Sequence, residues 1–381
     1  MYLVALKMLF GDQSKYMMLV SGMAFATLLM AQQSALFCGL MSWTYSPLVN
    51  ISASIWVADS KVEQVNENKP MRDTDADRIR SVDGVAWAAP LYQGIVVARD
   101  PTNSNFKFIT LVGLDATTLA GAPGRIVQGT LDDLRRPGTA IIDEFAVERF
   151  SEGRDQPIGV GDLLEINDNQ VEVVGICDVQ RPFIGGPFVY TTYDRAVSTY
   201  AYKSRKMLTF VLAEPAAGLS PTDVARRIEA GTGLKAFTRE EFRWSTIRWF
   251  FRNTGIPMVM GITVFIGLVV GMAISAQTFY SFVLENTRFL GALKAMGTPT
   301  PVLCKMLLFQ SVAVGLIGYG IGIGITVAFG RMALSTRQIP YAMPWQVPAI
   351  VLGIVLLISS VAALGGILRI ARLEPAIVFR A

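Results

Sequence analysis

The sequence predicts an α-helical membrane protein with four transmembrane helices, one before and three after a large extracytoplasmic α+β domain. Four windows contain no Asp, Glu, Lys or Arg, at residues 16–58, 253–284, 306–330 and 338–368. Each exceeds the roughly 20 apolar residues that a helix needs to cross the hydrocarbon core. One polar stretch of about two hundred residues separates the first window from the second. The mean hydropathy of +0.42 fits about four spans plus one soluble domain.

Basic residues cluster in short segments next to the spans, and this bias orients the chain. Residues 46–254 hold 24 basic and 27 acidic residues, whereas the rest of the chain holds 10 basic and 3 acidic residues. Eight of these ten basic residues lie near the termini or between the second and third spans: Lys7, Lys15, Arg288, Lys294, Lys305, Arg369, Arg372 and Arg380. Such segments are cytoplasmic, so both termini are expected inside and the large domain outside. Only Arg331 and Arg337 oppose this orientation, and nucleic-acid binding is not needed to explain the net charge of +4.

The windows and the basic segments divide the chain into nine expected parts. These are a cytoplasmic amphipathic segment (1–15), transmembrane helix one (16–45), an extracytoplasmic α+β domain that ends in a stalk (46–254), transmembrane helix two (255–284), a cytoplasmic helical segment (285–303), transmembrane helix three (304–330), a short outer loop (331–346), transmembrane helix four (347–368) and a cytoplasmic tail (369–381). The first apolar run is too long for a cleaved signal peptide, so helix one is expected to act as an uncleaved anchor.

The large domain alternates strand-like runs with two helical stretches. Runs rich in Val, Ile, Phe and Tyr predict strands at 85–89, 94–98, 107–112, 139–142, 163–166, 171–176, 188–192 and 208–212. Helices are expected at 74–81 and 221–230, with Thr74 and Ser220 as N-caps. Residues 237–252 mix arginines with aromatic residues just before a span, which predicts an interfacial stalk that continues into helix two.

Polar and small residues inside the spans suggest contacts between helices. Gln32 and Gln33 on helix one are expected either to line a polar cavity or to hydrogen-bond with other helices. Two small-residue pairs with GxxxG spacing predict close helix packing, Gly267 with Gly271 and Gly318 with Gly322. A third pair, Gly320 with Gly324, overlaps the second.

Several catalytic and cofactor-binding motifs are missing from the sequence. The chain has no histidine and no Gly-Lys dipeptide, which excludes histidine triads, His-ligated metals and a phosphate-binding P-loop. The interiors of helices two to four carry no ionisable residue, which argues against a proton or ion relay. The three scattered cysteines predict no disulfide framework. We therefore expect no catalytic, cofactor-binding or metal-binding residues in this chain.

The segment between the second and third spans predicts a short amphipathic helix. An apolar stripe is flanked by charged residues, and Gly297 followed by Pro299 is expected to end the helix. The stripe consists of Phe289, Leu290, Leu293 and Met296, and the charged residues are Glu285, Arg288 and Lys294.

Two cytoplasmic segments resemble the permease subunits of MacB/FtsX-type ABC transporters. The family's inner loop reads approximately as a charged residue followed by IGLLRALG, and residues 288–297 read RFLGALKAMG. The family's tail resembles ARLDPVEALR, and residues 371–380 read ARLEPAIVFR, including Arg372, Glu374 and Pro375, with Arg369 just upstream. The one-plus-three arrangement of spans and phrases such as SVDGV at 81–85 and VEVVGI at 171–176 extend the resemblance over nearly the whole chain. The phrases SIWV at 54–57 and PFVYTTYDRA at 187–196 are most similar to the DevC-like branch.

The resemblance implies a permease in the bacterial inner membrane that works with a separate ABC ATPase. Two copies of the chain would pair, and one ATPase, which binds the ATP and Mg²⁺, would dock on residues 285–297 of each copy. Phe289, Leu293 and Met296 would enter a groove of the ATPase, as an apolar helix face does. ATP-driven motion would then move the periplasmic domains, with a periplasmic adaptor and an outer-membrane channel as further partners.

Other functions remain open at this level. Within the family, the chain could be an FtsX-like regulator that activates an extracytoplasmic hydrolase instead of exporting a substrate. Outside the family, a membrane-anchored receptor is disfavoured because the cytoplasmic segments are too short for an output domain. A membrane enzyme is disfavoured because no catalytic constellation is found.

Overall fold

The computed structural model describes Met8 and residues 13–102, 106–201, 207–336 and 338–371, and it divides into two compact units. The α+β unit comprises residues 41–254, and the helical unit comprises the described residues of 1–40 and 255–381. The helices are α1 (Gln13–Thr44), α2 (Ser46–Asn50), α3 (Asp75–Arg80), α4 (Glu144–Phe150), α5 (Tyr193–Arg195), α6 (Pro221–Thr232), α7 (Arg239–Asn253), α8 (Ile256–Glu285), α9 (Thr287–Ala295), α10 (Thr300–Thr336) and α11 (Gln346–Ala371). The strands are β1 (Ile55–Ala58), β2 (Met71–Arg72), β3 (Val85–Arg99), β4 (Phe106–Leu114), β5 (Ile126–Gly129), β6 (Thr139–Asp143), β7 (Leu163–Ile166), β8 (Asn169–Cys177), β9 (Phe188–Thr192), β10 (Met207–Leu208), β11 (Phe210–Pro215) and β12 (Lys235–Thr238).

Among the described residues, four helices are long and apolar enough to cross a membrane: α1, α8, α10 and α11. One precedes the α+β unit and three follow it, so the predicted fold class is confirmed. The third of these helices is longer than its expected range of 304–330, since α10 begins at Thr300 and ends at Thr336. The predicted segments 1–15 and 369–381 lie largely outside the described residues.

Glycines let α1 approach both α8 and α10 closely. A methyl group added at Gly271 of α8 would collide with Ala26, and one added at Gly318 of α10 would lie 2.5 Å from the Cβ of Met23. The other members of the predicted GxxxG pairs, Gly267 and Gly322, face α1 as well. The overlapping pair does not, because Gly320 and Gly324 have no neighbouring atom within 4 Å of an added Cβ in the described structure.

One half of the α+β unit is an antiparallel sheet in the order β12-β1-β11-β3. Side chains on a strand alternate between its two faces, so successive residues of β1 point into two different hydrophobic cores. Ile55 and Val57 join the hydrophobic cluster that contains α3 and α6 residues. Trp56 and Ala58 join a second cluster, where the ring of Trp56 lies 5.5 Å from that of Phe210. The sheet is therefore covered on both faces, which explains why all four residues of β1 are buried.

The other half of this unit is a closed ring of six strands. The 15-residue strand β3 continues out of the first sheet and pairs with β4, and the ring then follows β9, β6, β8 and β7 back to β3. At the closing pair of strands, the Arg99 guanidinium donates two hydrogen bonds, of 2.7 and 2.8 Å, to the carboxylate of Glu165. Closure removes the free edges that an open sheet would leave here.

Several local predictions need correction. The strands expected at 85–89 and 94–98 are parts of one strand, and β1, β2, β5 and β12 were not expected. Thr74 and Ser220 occupy N-cap positions, but neither side chain makes a capping hydrogen bond.

The segment expected to continue as a stalk into the second span is instead a separate helix. α7 ends at Asn253, Thr254 is extended with φ −125° and ψ 151°, and the next helix begins at Ile256. The N-terminus of α7 is fixed by a capping box, in which the Thr238 side chain accepts a hydrogen bond from the amide of Glu241 and the Glu241 side chain accepts one from the amide of Thr238.

Candidate functional site

α9 is a short helix between the second and third spans, and local hydrogen bonds define both of its ends. Before its first turn, the Asn286 side-chain amide donates to the carbonyl of Phe282 at 2.8 Å. At its last turn, Thr298 N–H donates to the Leu293 carbonyl and Gly297 N–H donates to the Lys294 carbonyl, both at 3.1 Å. This pair of bonds is a Schellman motif, and it requires a residue with positive φ, which Gly297 supplies at +93°. The predicted end of the helix is therefore where the sequence placed it.

The two sides of α9 differ in what they contact. Leu290 is 1 % exposed and belongs to the hydrophobic core of the helical unit, and Gly291 beside it is buried. On the other side, Phe289 is 45 % exposed and Met296 is 75 % exposed. These two residues are seven apart, so they lie on one face of the helix two turns from each other. α9 and the residue that follows it thus present an apolar face of Phe289 and Met296, which the described chain covers only in part.

This division corrects the predicted apolar stripe of four residues. Leu290 cannot contact a partner because it is buried within this chain. Leu293, which was expected to enter a partner groove, is half-buried and packs against the core of the helical unit. Of the three residues predicted to insert into a partner, Phe289 and Met296 remain available.

Charged side chains surround this apolar face. Glu285 and Arg288 are exposed at its start, and Lys294 is half-buried near its end. The arrangement has the form of an apolar contact with a charged rim, a pattern common in protein interfaces. It provides no nucleophile or acid–base pair, and the described residues contain no group of three or more His, Cys, Asp or Glu side chains that could hold a metal ion.

The remaining predicted site residues are placed less fully. The side chain of Arg369 and the residues Arg372, Glu374 and Pro375 lie outside the described part of the chain. The side-chain amide of Gln33 contacts the sulfur of Met260 on α8, so it serves the contact between helices that was one of the two alternatives. Gln32 is half-buried.

A cavity along α1 is apolar rather than polar. It has a volume of about 680 Å³ between α1 and α10. Its lining includes Val20, Ala24, Phe25, Leu28, Ile321 and Ile325. Neither Gln32 nor Gln33 lines it, so the polar cavity suggested for these two amides does not correspond to this space.

The α+β unit contains a polar cavity that sequence reasoning missed. It has a volume of about 470 Å³ where β1 begins and β12 ends, and Ser54, Glu214 and Arg239 are among its lining residues. The amide of Ser54 donates to Glu214 at 3.1 Å, and Arg239 donates to the carbonyl of Leu48 at 2.7 Å. These groups are far apart in sequence, so no local pattern could have brought them together.

Comparisons with known proteins agree with this architecture. The model of the MacB-like periplasmic core domain matches residues 19–230, more than half of the chain. The model of the FtsX-like permease C-terminal domain matches residues 261–375, which include α9. A comparison with curated proteins finds no match.

Similar solved structures include two domains that lie outside the membrane in other proteins. The periplasmic region of MacB from Actinobacillus actinomycetemcomitans is 13 % identical with a TM-score of 0.39, over 54 % of this chain and 95 % of that one. The extracellular domain of the noncanonic ABC-type transporter YknZ from Gram-positive bacteria is 16 % identical with a TM-score of 0.35, over 49 % of this chain and 99 % of that one. Because the core-domain model covers most of the sequence and the permease model covers its three C-terminal spans, the chain belongs to the MacB/FtsX family of permease components of ABC systems, as a multi-pass membrane protein with an extracellular domain.

Proposed function

We propose that this chain is the permease subunit of an ABC exporter and transmits ATP-driven motion of a separate ATPase to its periplasmic domain. The observation that carries the proposal is the exposure of Phe289 and Met296 on a helix whose neighbouring side is fixed in the core by Leu290. A helix held in this way can pass a displacement of its exposed face to the spans on either side.

The proposal requires a defined orientation. The excess of Lys and Arg near the termini and around α9 supports a cytoplasmic location for these segments in the inner membrane. α9 would then face the ATPase, and the α+β unit would lie in the periplasm. ATP and Mg²⁺ would bind to the ATPase, since the sequence of this chain contains no P-loop.

The complete assembly is expected to contain two copies of the chain and two ATPases. A periplasmic adaptor and an outer-membrane channel are further expected partners, following the resemblance to the DevC-like branch. Docking on α9 would resemble other complexes in which the apolar face of a helix enters a groove.

Co-purification with a candidate ABC ATPase tests the docking. We expect a two-plus-two complex, and we expect the double variant Phe289→Asp/Met296→Asp to reduce ATPase recovery by at least about tenfold, as for loss of central interface residues. The matched control is Phe106→Asp/Phe108→Asp, which changes two residues that are 65 % and 67 % exposed on the α+β unit. Full recovery of the ATPase with the α9 variant would contradict the proposal.

The regulator alternative predicts the same ATPase complex but a different output. Proteoliposomes that contain the complex and an adaptor should release substrate on addition of ATP if the chain is an exporter. Stimulation of a co-expressed extracytoplasmic hydrolase, without any substrate release, would favour the regulator.

A further inference from the structure

One end of the α+β unit, here called the base, consists of residues 42–45, 180–183 and 244–253. Hydrogen bonds and ring contacts hold these three segments together. Phe183 N–H donates to the carbonyl of Trp43 at 3.2 Å, and the ring of Phe183 packs edge-on at 5.3 Å against that of Phe250. Both chain segments that continue into membrane spans leave the unit here, through α1 and through α7. The base is therefore the end of the unit that the chain itself ties to the membrane.

α7 contributes two different faces to the base. Phe242, Thr246 and Phe250 are spaced four apart and are buried in the unit. The opposite face carries Trp244, Arg248, Phe251 and Arg252, at helical spacing. Trp244 and Phe251 are 55 % and 51 % exposed. An exposed face that combines aromatic rings with guanidinium groups, three residues before a span, has the composition of a membrane–water interface.

The arginines of this face differ from most arginines in the same unit. Twelve arginines of the described α+β unit lie within 4 Å of a carboxylate. Two others, Arg195 and Arg239, donate to backbone carbonyls. The remaining three described arginines of the unit, Arg72, Arg248 and Arg252, make neither kind of contact within the described chain. Of these three, Arg248 and Arg252 lie one turn apart on the same exposed helix face, beside aromatic rings, so together they can bind one anionic group outside the protein.

The acidic residues of α7 are already engaged and do not neutralise this face. Glu240 pairs with Arg243 at 3.0 Å, and Glu241 completes the capping box at Thr238. The guanidinium of Arg243 also makes cation–π contacts with the rings of Tyr45 and Trp244, two aromatic residues of the base.

We propose that the base binds the headgroups of anionic phospholipids in the outer leaflet. The guanidinium groups of Arg248 and Arg252 donate hydrogen bonds to lipid phosphate oxygens, for which the planar fork of arginine is well suited. Trp244 and Phe251 lie at the level of the headgroups and set the depth of α7. Bound lipid thereby fixes the height of the α+β unit above the bilayer, and this role does not depend on how the ATPase docks.

Native mass spectrometry of the full-length chain tests this proposal. The purified chain is titrated with phosphatidylglycerol and, separately, with phosphatidylcholine, and the bound lipids are counted. We expect Arg248→Gln/Arg252→Gln to weaken phosphatidylglycerol binding about fivefold for each arginine removed, because each basic residue at a membrane surface contributes about that factor. Phosphatidylcholine has the same phosphate group but no net charge, so its binding should weaken much less. The double variant Arg248→Lys/Arg252→Lys should restore most of the binding, since it keeps both charges.

A control with the same change in net charge separates this site from general attraction. Arg72→Gln/Arg226→Gln removes two exposed arginines elsewhere in the α+β unit. We expect it to bind phosphatidylglycerol like the unchanged chain. Equal binding by the Arg248/Arg252 variant and the unchanged chain would overturn the proposal, and so would an equal loss in the control variant. Thermal unfolding of each variant shows whether it is folded, and the single variants Arg248→Gln and Arg252→Gln, each expected to bind phosphatidylglycerol about fivefold more weakly, test the proposal if the double glutamine variant is not folded.

Discussion

The core of the α+β unit is built on large aromatic side chains that are fully buried, whereas in the helical unit the closest contacts between helices are made by residues with almost no side chain. Trp56, Phe210 and Phe242 are each 0 % exposed and contact one another through their rings. In the helical unit, Gly271 and Gly318 bring α8 and α10 against α1. Large rings thus fill the core of the α+β unit, whereas in the helical unit glycines bring the helix backbones close together beside a core that includes Phe279 and Phe282.

The difference follows from the two solvents. In water, burial of large apolar groups provides the main free energy of folding. In lipid, apolar side chains gain little from leaving the hydrocarbon, so close packing of small residues becomes the stabilising contact. Apolar side chains can stay exposed in the helical unit because lipid surrounds them. On α8, for example, Met258, Phe265 and Ile266 are not covered by the described chain. Four substitutions test this comparison, and all are measured on the full-length chain in detergent.

The largest effect is expected in the aromatic core of the α+β unit. Phe242→Ala removes a ring that stacks on Phe237 at 4.5 Å and contacts Trp56 and Phe210. Loss of such a buried ring costs about 3–5 kcal/mol of the free energy of unfolding. Denaturant unfolding followed by tryptophan fluorescence measures this loss. A change below about 1 kcal/mol would show that enclosed volume is not what stabilises this unit.

The second effect concerns a buried carboxyl and depends on pH. Burial raises the pKa of Asp143 to about 7. The hydrogen bonds that its carboxylate accepts from the amides of Phe188 and Ala146, and the charge of Arg181, lower the pKa but do not outweigh burial. Because the folded state holds the proton more tightly than the unfolded chain, this group's contribution to stability is complete below about pH 4. It is lost as the pH rises from about 4 to about 7, by at most roughly 4 kcal/mol.

The variant Asp143→Asn removes this titration. We expect the difference in unfolding free energy between the unchanged chain and the variant to shift in favour of the variant as the pH rises from 5 to 8. Denaturant unfolding at both pH values measures the shift. A difference that does not vary with pH would mean that Asp143 does not titrate in this range.

The third effect tests close approach in the helical unit. Gly271→Leu forces a side chain into the space that Ala26 occupies, and overpacking of this kind costs about 1–3 kcal/mol. The control Gly353→Leu adds the same side chain where no atom lies within 4 Å of the added Cβ, and it should be nearly neutral. Thermal unfolding of both variants measures the contrast. Similar melting temperatures for the two would remove the argument for glycine packing.

The smallest effect is expected on α9. Phe289→Ala should change the free energy of unfolding by less than about 0.5 kcal/mol, because the side chain is 45 % exposed and outside the core. Leu290→Ala, one residue later, should be clearly destabilising because Leu290 is 1 % exposed. The same thermal assay compares the two. Equal losses would mean that Phe289 serves this chain rather than a partner.

The sequence was most informative where one property repeats over many residues. The four spans were predictable because an uncharged run of more than 20 residues has few other structural interpretations. The end of α9 was predictable because Gly297 is required by the positive φ of its motif. In contrast, β1 and β12 have four residues each, and β1 is buried on both faces, so neither shows the alternation that marks a strand.

The candidate site was only partly predictable for a geometric reason. Phe289 and Leu290 are adjacent in sequence and about 100° apart around the helix, so both fit one broad apolar stripe. Which of them faces the core depends on the neighbouring helices, and the sequence of α9 carries no information about those. The same limit applies to the base of the α+β unit, where Trp43, Phe183 and Phe250 come from three distant segments.

The pairing of β1 with β12 has a mechanical consequence. β1 follows α1 and α2, β12 precedes α7, and their outer ends meet where Ile55 pairs with Thr238. When both segments are pulled in the same direction, the two strands move together and no hydrogen bond between them is stretched. The unit then moves as one rigid body. A pull that separates the two segments breaks the hydrogen bonds of the ladder one after another, starting at Ile55 and Thr238. This needs less force than breaking them all at once. The α+β unit therefore resists deformation when the segments before β1 and after β12 are pulled in the same direction, and it resists less when they are pulled apart.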